Sequence, residues 1–156
     1  EWLPKNIPSD QETTIVHGDF RLDNMIFDPT THEVKAILDW ELSTLGNPIA
    51  DFTYHMMSWR LPAGAKGLGM MGSDLKSLNI PSESEYAELY YKKTGREKID
   101  DWDFYMAYNI FRLAGIAQGI VGRVRDGTAS SSEAKNYEAF VPILGKLGWS
   151  IVEGIK

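Results

Sequence analysis

The pattern of apolar residues changes near Pro48, and the two halves of the chain predict different secondary structure. Before that point the apolar runs are short: Thr13–Val16 is a β-branched run, and Asn24–Phe27 is a second brief one. Asp28–Thr31 is typical of a turn, because Asp and Pro both favour turn positions. Val34–Leu38 then predicts a strand that returns from the turn. The first half therefore predicts a small β-hairpin with polar residues of catalytic type on both sides.

The second half predicts helices. Apolar and aromatic residues occur nearly all round Pro48–Trp59, which predicts a buried helix. Ser82 and Glu85 form a capping-box pattern at a helix start, and Gly95 is a favourable stop because glycine accepts a positive φ. Apolar residues that recur every three or four positions predict two more helices. The first ends near Asp126-Gly127. The residues that mark the two helices are Trp102, Met106, Ile110, Leu113, Ala117 and Ile120, and then Tyr137, Phe140, Val141, Leu144 and Ile151. The chain is thus expected to be α+β and mainly helical.

His17–Asn24 has the spacing of a kinase catalytic loop, in which an Asp is followed five positions later by an Asn. Phosphoryl transfer needs an acceptor hydroxyl held in line with the γ-phosphate. Asp19 fits the carboxylate that accepts this hydroxyl's hydrogen bond and then its proton. Asn24 offers a side-chain carbonyl, a hard oxygen ligand of the kind that Mg²⁺ prefers. The loop therefore predicts a base and a metal ligand.

A second metal ligand is indicated fifteen residues beyond Asn24, in Ile37-Leu38-Asp39-Trp40. Kinases present a Mg²⁺ ligand as an Asp after the catalytic loop, and an apolar strand that ends in Asp39 fits this role. Trp40 and Glu41 follow where protein kinases have Phe and Gly, which favours a small-molecule kinase over a protein kinase.

Roles can also be predicted for Arg21 and His17, two further residues of the loop. Arg21 lies two positions after Asp19, where a cation can neutralise γ-phosphate charge in the transition state. The alternative for Arg21 is a surface salt bridge with Asp23 or Glu41. His17 is expected to hold the loop through a backbone hydrogen bond rather than to catalyse.

Gly46–Asp51 completes an ordered set of motifs that resembles the aminoglycoside phosphotransferase and choline kinase superfamily. The resemblance implies that Asp51 accepts hydrogen bonds from the backbone of the catalytic loop and supports it. Phe20-Arg21-Leu22 and Leu38–Thr44 are similar, more narrowly, to the kinase-like domain fused to acyl-CoA dehydrogenases in animals and to its stand-alone bacterial relatives.

The closer resemblance extends into the helical half, through Phe111–Gly119 and Gly127–Ser131. It implies the C-terminal, catalytic lobe of a protein-kinase-like fold, with the β-hairpin bearing the catalytic residues. Residues 1–156 are then one lobe. Within it, residues 1–60 hold the catalytic loop, hairpin and metal-binding segment, and residues 61–156 form a helical subdomain on the acceptor side.

The activity implied by the resemblance is transfer of the γ-phosphate of ATP, with Mg²⁺, to a hydroxyl of a small molecule, with a hydroxyacyl-CoA as the expected acceptor. Only some twelve residues precede the strand that leads into His17. Because these are too few for an ATP-binding lobe, the N-terminal lobe of the same polypeptide is expected to be absent from this chain. The fragment alone is expected to be inactive.

Two other classes of function are alternatives to a kinase. A non-catalytic pseudokinase or nucleotide-binding module would be favoured by loss of the motif residues, yet Asp19, Asn24 and Asp39 are all present. A lone helical interaction domain would require the ordered motifs to arise by chance. Gly67–Gly72 matches the G-x-G-x-x-G pattern of nucleotide-binding loops. It follows the catalytic loop and has no strand before it, so it predicts a flexible connection.

Composition excludes several partners. The net charge of −6 argues against nucleic-acid binding through bulk electrostatics. The chain has no Cys, which excludes disulfides and Cys-ligated metals. No apolar run approaches the roughly 20 residues needed to span a bilayer, and Glu1–Lys5 has no signal-peptide layout. We therefore expect a cytoplasmic protein without a membrane partner.

Overall fold

A computed structural model describes residues 1–9, 12–63, 69–98, 101–129, 134 and 136–155. The chain divides into two compact units. One unit comprises Asp10–Asp100, and the other comprises Glu1–Ser9 together with Asp101–Lys156. Gly67 and Leu68 of the glycine pattern, and Ser130 and Ser131 of the Gly127–Ser131 segment, lie outside the described residues.

The described residues of the unit 10–100 include four short strands in two antiparallel pairs. Strand β1 (Thr14–Val16) pairs with β4 (Thr44–Gly46), and β2 (Met25–Phe27) pairs with β3 (Val34–Ile37). The β2–β3 pair is the predicted hairpin. The β1–β4 pair was not predicted, because three residues that end in glycine give no periodic signal for β4.

The turn of the hairpin is fixed by one side chain. Asp28 Oδ1 accepts hydrogen bonds from the backbone N–H groups of Thr30 at 2.8 Å and Thr31 at 2.9 Å. These bonds satisfy backbone N–H groups where the chain reverses and strand-to-strand hydrogen bonds end. Asp side chains commonly have this function in turns. The bonds also hold the pKa of Asp28 below its usual value.

The described part of this unit also contains two helices, α1 (Pro48–Arg60) and α2 (Glu83–Thr94). Asn47 caps α1 by accepting the Ile49 N–H at 2.8 Å. The predicted capping box at the start of α2 is present, because Ser82 accepts the Glu85 N–H while the Glu85 carboxylate accepts the Ser82 N–H. Burial of α1 nearly all round is confirmed for Ile49, Phe52, Thr53, Tyr54, His55, Met56 and Met57.

The second unit is built on α3 (Trp102–Arg125) and α4 (Tyr137–Gly154), which pack against each other. Their periodic apolar residues include the buried Met106, Ile110 and Leu144. A Cβ added at Gly148 would lie 3.3 Å from Ile110 Cγ2, so glycine permits the close approach of the two helices. The α+β, mainly helical class is thus confirmed. Among the described residues, none of the helices has the length and apolar character needed to cross a bilayer.

Candidate active site

Helix α1 holds the beginning of the predicted catalytic loop through Asp51. The backbone N–H groups of His17 and Gly18 donate to Asp51 Oδ2 at 2.8 Å and Oδ1 at 2.9 Å. Both carboxylate oxygens are therefore engaged in the contact that the resemblance implies. Gly18 has φ +82°, and a Cβ there would overlap the Leu42 carbonyl, so this position requires glycine.

Four residues next form a closed set of hydrogen bonds, here called the hydrogen-bonded ring: His17, Asp19, Asn24 and Leu38. The Asp19 N–H donates to His17 Nδ1 at 3.2 Å, and His17 Nε2 bonds to the Leu38 carbonyl at 2.7 Å. The Leu38 N–H donates to the Asn24 carbonyl at 2.8 Å, and Asn24 Nδ2 donates to the Asp19 carbonyl at 2.9 Å. Because Nδ1 accepts, the partners assign the proton of His17 to Nε2.

The hydrogen-bonded ring joins the loop to the end of β3, where Asp39 follows. Asp39 has φ 65° and ψ 51°, a left-handed conformation that is uncommon outside glycine and is found often at functional sites. Its carboxylate is exposed, and no described residue forms a hydrogen bond or ion pair with it. Asp39 therefore presents two oxygens that are available to a cation.

Asn24 has the chemistry of a second oxygen ligand. Its Nδ2 also lies 3.2 Å from Asp19 Oδ2, so the amide nitrogen is directed to Asp19. No described residue donates to the Asn24 Oδ1, which is the atom a metal would use. No group of three or more His, Asp or Glu side chains in the described part of the chain could hold a metal. Asn24 Oδ1 and the Asp39 carboxylate are oxygen donors of the type that Mg²⁺ prefers, and Mg²⁺ commonly keeps waters and phosphate oxygens as its other ligands.

Arg21 forms an ion pair with Asp23. This is one of the two salt bridges that the sequence offered as the alternative to phosphate binding. Both side chains are more than one third exposed, so the pair stabilises the chain by about 0–1 kcal/mol at most. The Arg21 Nε is buried and has no hydrogen-bond partner among the described residues. Arg21 is therefore held weakly and retains donor capacity.

Aromatic contacts extend the site on both sides of His17, and the sequence interpretation missed them. The His17 ring lies 4.7 Å from the Trp40 ring and 6.1 Å from the Phe20 ring, measured between centroids. Phe20 also contacts His55 of α1 at 5.7 Å. Trp40 and Phe20 each follow a candidate carboxylate directly. That position was the one signal in the sequence that could have revealed them.

The described part of the glycine pattern has a structural explanation. A Cβ at Gly69 would overlap the backbone carbonyls of Leu61 and Pro62. The Met71 N–H donates to the Leu61 carbonyl at 2.9 Å, and the Ala63 N–H donates to the Met71 carbonyl at 3.1 Å. Gly69 therefore permits a close backbone crossing that these bonds fix, and phosphate binding is not needed to explain it.

The chain is similar to known proteins over most of its length. Residues 1–89 match the APH family, described as a phosphotransferase enzyme family. Mouse acyl-CoA dehydrogenase family member 10 is 45% identical over 150 residues, which are 96% of this chain and 14% of that protein. Human acyl-CoA dehydrogenase family member 11 is 38% identical over 150 residues, which are 95% of this chain and 19% of that protein. The chain thus spans less than one fifth of these curated relatives.

A solved structure is similar over nearly all of the chain. It is a protein of Ralstonia eutropha JMP134 assigned as an aminoglycoside phosphotransferase. The TM-score is 0.93 and the identity is 48%, over 99% of this chain and 47% of that one.

Proposed function

Because the chain belongs to the phosphotransferase enzyme family, we propose that it carries the catalytic residues of an ATP- and Mg²⁺-dependent kinase for a small-molecule hydroxyl. The family membership bears out the resemblance to aminoglycoside phosphotransferases and to the kinase-like domain of acyl-CoA dehydrogenase family members 10 and 11. The observation that carries the proposal is the hydrogen-bonded ring, because it joins Asp19 and Asn24 to the residue before Asp39.

In the proposed reaction, Asp19 accepts the hydrogen bond of the acceptor hydroxyl and orients its oxygen towards the γ-phosphorus. A bond forms between that oxygen and the γ-phosphorus while the bond to the β–γ bridging oxygen breaks, and ADP leaves. The hydroxyl proton passes to Asp19 and then to water. Arg21 exchanges its weak pairing with Asp23 for the charged phosphate oxygens in the transition state.

The remaining site residues hold and shape the reaction centre. Asn24 Oδ1 and the Asp39 carboxylate are the proposed ligands of Mg²⁺, which when bound neutralises charge on the phosphate oxygens. His17 and Asp51 are the proposed supports: His17 bridges Asp19 to Leu38, and Asp51 fixes the loop backbone. A loop held at both ends loses little freedom on binding substrate, which favours an aligned reaction.

The proposed partner of this lobe is an ATP-binding N-terminal lobe of the same polypeptide, which makes residues 1–156 the C-terminal lobe. Kinases place a Gly-rich loop and a strand Lys over the phosphates from such a lobe. Ile15 and Leu45, directly opposite each other in the β1–β4 pair, are 75% and 71% exposed. Two apolar side chains exposed to this extent on paired strands support the proposal that a partner covers this surface.

The proposed acceptor is a hydroxyacyl-CoA. Support comes from the relatives named acyl-CoA dehydrogenase family members, whereas the similar solved structure is assigned as an aminoglycoside phosphotransferase. A parallel assay of hydroxyacyl-CoA compounds and aminoglycosides, with protein that includes the ATP-binding lobe, decides between them. Phosphorylation of aminoglycosides alone would reverse the choice of acceptor and leave the kinase proposal intact.

The experiment that tests the kinase proposal is Asp19→Asn in the same protein. We expect kcat to fall at least about 100-fold, since positioned general bases contribute about 10² to 10⁴. The KM for ATP should change little, because Asp19 faces the acceptor in this mechanism. Asp126→Asn, an exposed residue outside the site, is the matched control. Turnover by Asp19→Asn within a few-fold of the wild type contradicts the proposal.

A further inference from the structure

Helix α1 contacts the candidate catalytic loop at two points that are one helical turn apart. Asp51 accepts the backbone N–H groups of His17 and Gly18. His55 lies with its ring against Phe20, the residue that follows Asp19. Residues four apart lie on the same face of a helix. One face of α1 therefore supports both the start of the loop and the residue next to the candidate base.

Phe20 lies between two imidazole rings. It meets His17 edge-on at 6.1 Å and 66°, and His55 edge-on at 5.7 Å and 67°. The Asp19 carboxylate is held by one described contact, the Asn24 Nδ2 at 3.2 Å. Because Asp19 and Phe20 share a peptide bond, contacts that fix the Phe20 side chain also restrain the backbone that carries this carboxylate. The Phe20 contacts are thus a second constraint on Asp19.

The surroundings of His55 show that its ring contributes packing. His55 is 8% exposed, and its other ring neighbours are Phe52 at 6.4 Å, Trp59 at 5.9 Å and Tyr86 at 5.7 Å. No described residue forms a hydrogen bond with its imidazole nitrogens. Burial lowers the pKa of His55 below its usual value, so the ring is neutral at neutral pH. The contact with Phe20 therefore depends on the shape of the ring.

We propose that His55 is a positioning residue for phosphoryl transfer, which fixes Phe20 and through it the direction of the Asp19 carboxylate. The inference rests on the proposed function, because it gives His55 a part in the same reaction. A His55 that served the core alone would change stability without changing the chemical step.

The first test compares three variants in protein that includes the ATP-binding lobe. For His55→Ala we expect kcat to fall about 10- to 100-fold with the KM for ATP unchanged, since a misplacement of about 1 Å costs about 10² in rate. His55→Phe restores a ring of similar shape and should recover most of kcat. Met57→Ala removes a buried side chain of the same helix. It should lower Tm comparably and leave kcat unchanged.

The second test is a double-mutant cycle of Phe20→Ala and His55→Ala. If His55 acts through Phe20, its removal has little further effect on kcat once Phe20 is absent, and the two effects are not additive. Additive losses in kcat overturn the inference, as does a wild-type kcat in His55→Ala measured well below its Tm. Where His55→Ala does not fold, His55→Leu and Phe20→Leu complete the same cycle with smaller cavities.

Asp19→Asn in the same series separates the two proposals. If that variant keeps near-normal turnover, the proposed function fails. If it is inactive while His55→Ala or His55→Leu turns over normally, the proposed function stands and the positioning role alone is wrong. If His55→Phe is as impaired as His55→Ala, the ring shape is not what matters, and the inference is also wrong.

Discussion

The strands of the unit 10–100 and the helix pair α3–α4 are stabilised in different ways. The helix pair buries apolar side chains such as Met106, Ile110 and Leu144 completely. The strands leave Ile15 and Leu45 largely exposed, and the loops beside them are fixed by directional hydrogen bonds from Asp51 and the hydrogen-bonded ring. Substitutions in the core of the helix pair should therefore change stability alone, whereas substitutions in the strand region should also change the proposed activity.

The largest expected effect concerns the 156-residue chain assayed alone, which should fold but should not turn over ATP. Helical circular dichroism should show a cooperative transition, because the helix faces bury each other. ATP turnover should be undetectable beside the ~1–100 s⁻¹ of kinases. The reason is that none of Lys5, Lys35 and Lys66 stands in a Val-Ala-x-Lys context before the catalytic loop. Turnover in the ordinary range contradicts the need for a second lobe.

In the helix pair, Leu144→Ala should lower the free energy of unfolding by about 2–5 kcal/mol, the usual cost of emptying a core leucine site. Leu144 is 0% exposed, whereas its neighbour Ile143 is 46% exposed and provides the control. Ile143→Ala should stay within about 0.5 kcal/mol. Urea titration measures both. In protein that includes the ATP-binding lobe, kcat should be unchanged, and a large loss of kcat in Leu144→Ala breaks the comparison.

In the strand region, Gly18→Ala should reduce both stability and kcat. A residue other than glycine at positive φ costs about 1–2 kcal/mol, and the added Cβ would also overlap the Leu42 carbonyl. Gly72 has φ +89° with nothing within 4 Å of its Cβ position. Gly72→Ala therefore incurs the conformational cost alone and should retain kcat. Equal behaviour of the two variants in urea titration and kinetics would show that crowding at Gly18 is unimportant.

The smallest expected effect is a pH dependence of stability from His55. Its pKa is lowered by burial, so below about pH 6.5 the unfolded chain binds a proton more readily than the folded chain. Stability should fall as the pH drops through 6.5 and level off below the lowered pKa. His55→Phe removes this contribution. Urea titrations at about pH 7.5 and pH 5.5 should thus show a smaller acid loss in the variant than in the wild type. An equal loss of stability at pH 5.5 in the variant and the wild type would contradict this prediction.

Local sequence patterns predicted the secondary-structure elements well, whereas the tertiary contacts could be predicted only in part. The hairpin, the capping box at Ser82 and the apolar faces of α3 and α4 follow from short-range residue spacing. The Asp51 contact with the loop came from the family resemblance. The β1–β4 pairing and the contact of Phe20 with His55 join residues about 30 to 35 positions apart, and no local propensity encodes such a distance.

The β1–β4 pairing also bears on the order in which the site forms during folding. Val16 pairs with Thr44, so the pairing closes a loop that contains residues 17–43. Every proposed site residue lies inside it except Asp51 and the proposed positioning residue His55. Closing a loop of this length lowers the conformational entropy of the chain, and this loss precedes the stabilising contacts that form inside the loop. The hairpin and the helix starts can form early from neighbouring residues. The arrangement of the proposed site residues requires the ends of this loop to meet, and we therefore expect it to be among the last parts of the unit 10–100 to become native.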